Sequence, residues 1–126
     1  MKYTIELQAE ILIAIASGPL SREEATRLWR EVFDSAAERQ AQKILVDCLA
    51  VGGTLSTIDR YDIALQSMQH LRELGIHVQV ALVGSPPAVD GFGLLVANNI
   101  GLLGLLFPNV DEARNWLKRV PRLAGC

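Results

Sequence analysis

Lys43-Ile44-Leu45-Val46-Asp47, followed after a glycine-bearing connection by Ser56-Thr57-Ile58-Asp59-Arg60-Tyr61, is the stretch that decides the fold. Ile44 to Val46 is apolar on both parities, the pattern of a strand covered on both faces. Gly52-Gly53 predicts irregular backbone between Cys48 and Leu55. Ser56 suits a helix N-terminus, with Asp59 three positions later, and Ile58, Tyr61, Leu65, Met68 and Leu71 recur at helical spacing. Gly75 marks the end of that helix. A buried strand that passes into a long helix needs a second strand beyond it, and such crossovers run parallel and right-handed.

That second strand is expected over Ile76 to Gly84, where His77 and Gln79 make the entrance wetter than the far end. Ser85-Pro86-Pro87 stops it, Asp90 can cap a short helix reaching about Asn98, and Leu102 to Phe107 reads as a last, buried strand. Asn109 and Glu112 open a final helix with Ala113, Trp116, Leu117 and Val120 on one face, and Pro121 ends it. Upstream, Tyr3 to Gln8 alternates and Ile11 to Ala16 is apolar, so the two predict an antiparallel hairpin closed by Gly18-Pro19. Ser21 and Glu24 can form a capping box for a first helix, whose buried face is Ala25, Leu28, Trp29, Val32, Phe33, Ala36 and Ala37. Its other face carries opposite charges four apart, Glu23 with Arg27 and Arg30 with Asp34, and reads as solvated. The predicted order is β-β-α-β-α-β-α-β-α: one α/β domain over residues 1–126, its mixed, mostly parallel sheet covered by about four helices.

Composition narrows the function classes. The 126 residues are 50% hydrophobic with a net charge of -2, which excludes disorder and argues against a general electrostatic grip on nucleic acid or anionic membrane. Residues 91–110 carry no charge, yet Asn98, Asn99, Pro108, Asn109 and four glycines interrupt them. They read as a helix, a turn and a strand within a core, not as a membrane span. Glu6 and Glu10 break any export signal, so a cytoplasmic location is the default. Cys48 and Cys126 form no disulfide framework, and are expected as a buried thiol and a stray one. The basic run around Lys118-Arg119 complements a helix C-terminus.

Catalytic templates fail. There is no phosphate-binding loop, no nucleophile elbow, and no metal set around His70 or His77, which read as surface residues. Asp47 closes a strand but has no identifiable partner base or nucleophile. The chain is therefore read as non-catalytic, with no cofactor. In open α/β sheets, ligands gather beyond the carboxyl ends of the parallel strands. There the sequence places Asp47, Thr54, Ser56, Thr57, Asp59, Arg60, Tyr61 and Ser85, which form the candidate partner- or ligand-binding edge. The Leu-rich segment from Gly91 to Phe107 suggests a second use, an apolar cavity for a small molecule or lipid. An exposed edge strand would also permit a homodimer.

The hairpin, helix, K-I-L-V-D strand and S-T-I-D-R-Y helix start, with V-A-L-V-G, V-A-N-N-I-G and F-P-N-V-D-E-A-R-N-W-L after them, resemble the SpoIIAA-like (STAS-like) family over nearly the whole chain. That resemblance implies a compact mixed sheet with helices mainly on one side, and a regulatory, protein-binding role like that of bacterial anti-sigma factor antagonists. Those antagonists carry a serine in an Asp-Ser-(Ser/Thr)-Gly signature. Here Leu55-Ser56-Thr57-Ile58 stands in its place, without the acid and without the glycine. The resemblance thus implies a module that meets a protein partner near Ser56, with Ser56 and Thr57 as phosphorylation candidates.

Overall fold

The computed structural model describes residues 1–119. Val120 of the last helix's apolar face, the Pro121 stop and the Cys126 thiol lie outside the described residues. In chain order the elements are β1 (Lys2–Gln8), β2 (Ile11–Pro19), α1 (Arg22–Arg39), β3 (Lys43–Gly52), α2 (Thr57–Leu74), β4 (Gln79–Val83), α3 (Phe92–Asn99), β5 (Leu103–Phe107) and α4 (Val110–Arg119). The expected order holds. The sheet runs β1-β2-β3-β4-β5, with β1 antiparallel to β2 and every later pair parallel.

The sheet separates two cores. Side chains alternate along each strand, so Leu12, Ala14, Ile44, Val46, Val80 and Leu82 face one way, against Leu28, Val32 and Phe33 of α1, Met68 and Leu71 of α2, and Ala97 of α3. Ile11, Ile13, Leu45, Ala81 and Val83 face the other way, against Ala113 and Leu117 of α4. Three helices therefore cover one face and the fourth covers part of the other. Phe33, Leu12, Ile44, Leu45 and Leu117 are among the side chains almost wholly removed from water; each such burial is worth about 1.5–3 kcal/mol.

Helix starts follow their sequence signals. Ser21 Oγ accepts the Glu24 N–H at 3.2 Å and donates to the Glu24 carboxylate. At α4, Asn109 Oδ1 accepts the Glu112 N–H at 2.9 Å and its amide nitrogen donates to the Glu112 carboxylate. At α3 the helix begins on Gly91, in a left-handed conformation, and Asp90 instead accepts the Phe92 N–H at 2.9 Å. On α1, Asp34 turns to α2, where its carboxylate lies 2.6 Å from His70 Nε2. That side chain is only 14% exposed, so His70 is wedged between two helices and is not a surface residue.

Four further expectations need correction. Asp47 does not end its strand and Cys48–Leu55 is not irregular throughout: β3 continues to Gly52 because Ala50, Val51 and Gly52 pair with Ser17, Gly18 and Pro19 of β2 beyond a register shift. The strand after Gly75 starts at Gln79, not Ile76. β5 is not buried. It is an edge strand, with Leu103 and Leu105 at 41% and 45% exposure where α4 does not reach. Its buried parity is set by Gly104, and the Asn98 carboxamide bonds both backbone groups of that residue, donating to its carbonyl at 3.1 Å and accepting its N–H at 3.2 Å.

The fourth correction concerns α2. Ile58, Tyr61 and Leu65 were expected inside and are exposed; the buried face is Arg60, Ile63, Ala64, Ser67, Met68 and Leu71. Both sets recur at helical spacing. The second prevails because Ala64 and Ser67 are small enough to let the helix lie close to α1 and the sheet.

Candidate functional site

The loop between β3 and α2 turns at Gly53, whose φ of 90° is open to glycine at little cost. Ser56 then caps α2, its Oγ accepting the Asp59 N–H at 3.0 Å. Thr54, Ser56, Thr57, Ile58 and Tyr61 are all exposed. Ile58 is 72% exposed, an unusual position for isoleucine in the first turn of a helix whose other face is packed. Tyr61 and Leu65 continue the same stripe.

Arg60 holds this end of the molecule together. It is one turn into α2 and buried. Its Nε donates to the Leu55 carbonyl at 3.2 Å, one terminal nitrogen to the Ala88 carbonyl at 2.9 Å, and the other to the Pro87 carbonyl at 2.8 Å and to Thr54 Oγ1 at 3.3 Å. The Asp90 carboxylate lies 3.5 Å away. A single guanidinium, with its fixed fork of donors, thereby ties the loop before α2 to the loop after β4. Gly84 allows that second loop to fold back, since a Cβ there would stand 2.7 Å from Val89 Cγ2. Thr54 Oγ1 adds a weaker link to the Pro87 carbonyl at 3.4 Å.

The residues named from the sequence are distributed as follows. Thr54, Ser56, Thr57, Asp59, Arg60 and Tyr61 are gathered at the start of α2, and Ser85 stands exposed on the loop that Arg60 binds. Asp59 lies 3.9 Å from Arg22 of α1. Asp47 is not drawn into this cluster. It sits within β3, paired with Ile15 and Val83 on the parity of the α4 face, and its carboxylate accepts the Leu49 N–H at 3.0 Å. Sequence reasoning missed that Ile58 and Tyr61 face outward and that Arg60 faces inward. The signal for it was the small pair Ala64 and Ser67 on the Arg60 side.

Under α2 lies an apolar cavity of about 130 Å3. Gly91, Gly93, Leu94, Ala97 and Leu102 of the Leu-rich segment contribute to its wall, as does Cys48. Burial, and secondarily the Asp47 charge, pushes the Cys48 thiol up to about 12. Among the described residues no group of three or more His, Cys, Asp or Glu side chains is placed to hold a metal ion, and no helix is long and apolar enough to cross a membrane.

Solved structures share this architecture. An anti-sigma factor antagonist from Mycobacterium paratuberculosis is 17% identical, with a TM-score of 0.63 over 93% of each chain. The anti-sigma factor antagonist SpoIIAA in its unphosphorylated form is 11% identical, with a TM-score of 0.58 over 96% of this chain and 100% of that one. The phosphorylated form of SpoIIAA, a Bacillus cell fate determinant, is 15% identical, with a TM-score of 0.50 over 91% and 98%. No family model and no curated protein matches the chain. The chain has the SpoIIAA-like (STAS) fold, and at these identities the likeness speaks for the fold alone.

Proposed function

We propose that the protein is a regulatory module, with no reaction of its own, that docks a partner protein on the outward face of the start of α2. The observation that carries this reading is the exposure of Ile58 and Tyr61 beside Ser56 and Thr57, on a helix turn fixed from beneath by Arg60. Partner surfaces favour a rigid apolar and aromatic centre with a polar rim. Here Ile58 and Tyr61 supply the centre, and Thr54, Thr57, Asp59 and Ser85 supply the rim. The structural neighbours named as anti-sigma factor antagonists support a protein as the partner.

Ser56 and Thr57 are the positions at which phosphorylation would act. A phosphate adds roughly −1.5 to −2 charge. Next to Ile58 it would wet an apolar contact, and next to Asp59 it would add like charge. Docking would then be favoured in the unmodified form.

The test is retention from a bacterial lysate on immobilised protein, with wild type, Ile58→Asp and Ser56→Glu as parallel baits. Leu105→Asp, on the opposite face of the sheet, is the control. A partner kept by wild type and the control but lost by Ile58→Asp supports the reading. Its equal retention by Ile58→Asp, or the absence of any retained protein, refutes it.

A further inference from the structure

We propose that the half-open cavity between α1, α2, α3 and the sheet is a binding site for a compact, uncharged and mostly apolar molecule with one hydrogen-bonding group, anchored by Ser67. Leu28, Phe33, Val51, Ile63, Met68 and Leu94 give it apolar walls. Ser67 is buried on the inner face of α2, at 8% exposure, and lines the cavity. Its Oγ has no hydrogen-bond partner. Native cores rarely leave a buried hydroxyl unpaired, so this one is read as awaiting an occupant.

Water is a poor occupant. About 130 Å3 would take roughly four molecules at liquid density, each needing two to four polar partners. Of the other polar groups at the wall, Arg60 has its donors committed to Leu55, Thr54, Pro87 and Ala88 and its charge met by Asp90, which also borders the cavity. That neutral pairing also removes any reason for a charged ligand. Size sets the class: a void of roughly 150 Å3 with similar walls accepts benzene, so a molecule of about six to eight heavy atoms fits and a long acyl chain does not. Entry is from the loop after β4, where Asp90, an exposed residue, borders the cavity. This site is independent of the docking face, which lies on the opposite side of α2.

Phenol and toluene are matched probes, equal in heavy atoms and differing by a hydroxyl for a methyl. Each is titrated into the folded protein and followed by amide and methyl chemical shifts. Saturable shifts centred on the cavity wall are expected for both. Ser67→Ala is expected to weaken phenol roughly fivefold, the worth of one neutral hydrogen bond, and to leave toluene within about twofold. Ala64→Leu, which fills the space, is expected to abolish both. The absence of saturable shifts in wild type overturns the proposal. So does phenol binding that Ser67→Ala leaves unchanged, or binding of either probe that survives in folded Ala64→Leu. If Ala64→Leu does not fold, the wild-type and Ser67→Ala titrations decide alone.

Discussion

The guanidinium of Arg60, on the inner face of α2, lies 2.8 Å from the carbonyl oxygen of Pro87, on the loop that follows β4. Two loops far apart in sequence share one charged donor, and the exposed turn above it inherits their rigidity.

Arg60→Met keeps the aliphatic bulk and removes the donors. It leaves the Leu55, Pro87 and Ala88 carbonyls without their partner, and bonds to charged groups are worth about 1.5–3 kcal/mol. The expected loss is about 2–4 kcal/mol by urea unfolding, with increased amide exchange across residues 85–91. Unchanged stability would show that the clamp is ornamental.

Ser56 serves two roles that a pair of substitutions separates. Ser56→Ala removes the acceptor for the Asp59 N–H and should cost about 1 kcal/mol. Ser56→Asp keeps an acceptor at a favoured capping residue and should restore most of that loss. Chemical denaturation of both variants measures the difference. If Ser56→Asp still binds a partner lost by Ser56→Glu, the lesion lies in the cap and not in the charge.

Gly84→Ala should destabilise by about 1–3 kcal/mol, because the added methyl enters the space of Val89. The double variant Gly84→Ala, Val89→Ala should recover part of it. Additive losses in that double-mutant cycle would refute a direct clash.

Two weak acids, Cys48 and Tyr3, set the alkaline limit. The Cys48 thiol is pushed up to about 12 from 9.0 by burial and by Asp47. The Tyr3 phenol is pushed up to about 12 from 10.0 by desolvation and by the neighbouring Glu31 carboxylate. In both cases the unfolded chain releases its proton first. The stability they contribute is full below pH 9 and falls as pH rises towards 12. Urea midpoints measured from pH 8 to 11 should decline, and Cys48→Ala and Tyr3→Phe should each flatten the decline. Parallel curves would dismiss the assignment. At pH 8 the native thiol should react slowly with iodoacetamide.

Order, direction and helix boundaries were legible because they rest on local signals. Gly75 and Asn109 stop and start helices through their own backbone or side chain, and Ile44-Leu45-Val46 can only be a doubly covered strand. What could not be read depends on partners distant in the chain. β3 runs on to Gly52 because β2 offers it a ladder. Leu103 and Leu105 look like core until α4 is found to lie mainly over β4, leaving the start of the edge strand β5 uncovered. The α2 stripe failed for a related reason. Two faces of one helix were apolar enough, and only close approach to α1 favours the one with Ala64 and Ser67. Of the candidate site, its place at the strand ends was readable, but the inversion of Arg60 and Ile58 was not.

The carboxamide of Asn98 imitates a short piece of neighbouring strand, since it gives and takes one bond with the same residue of β5. An open margin of sheet is a template on which another molecule can lay its own chain. Here any such addition has to evict an internal competitor near the start of the strand, while Leu103 and Leu105 beside it stay free to meet an apolar surface. The fold thus guards itself against indiscriminate growth by backbone pairing and leaves association on that flank to side chains.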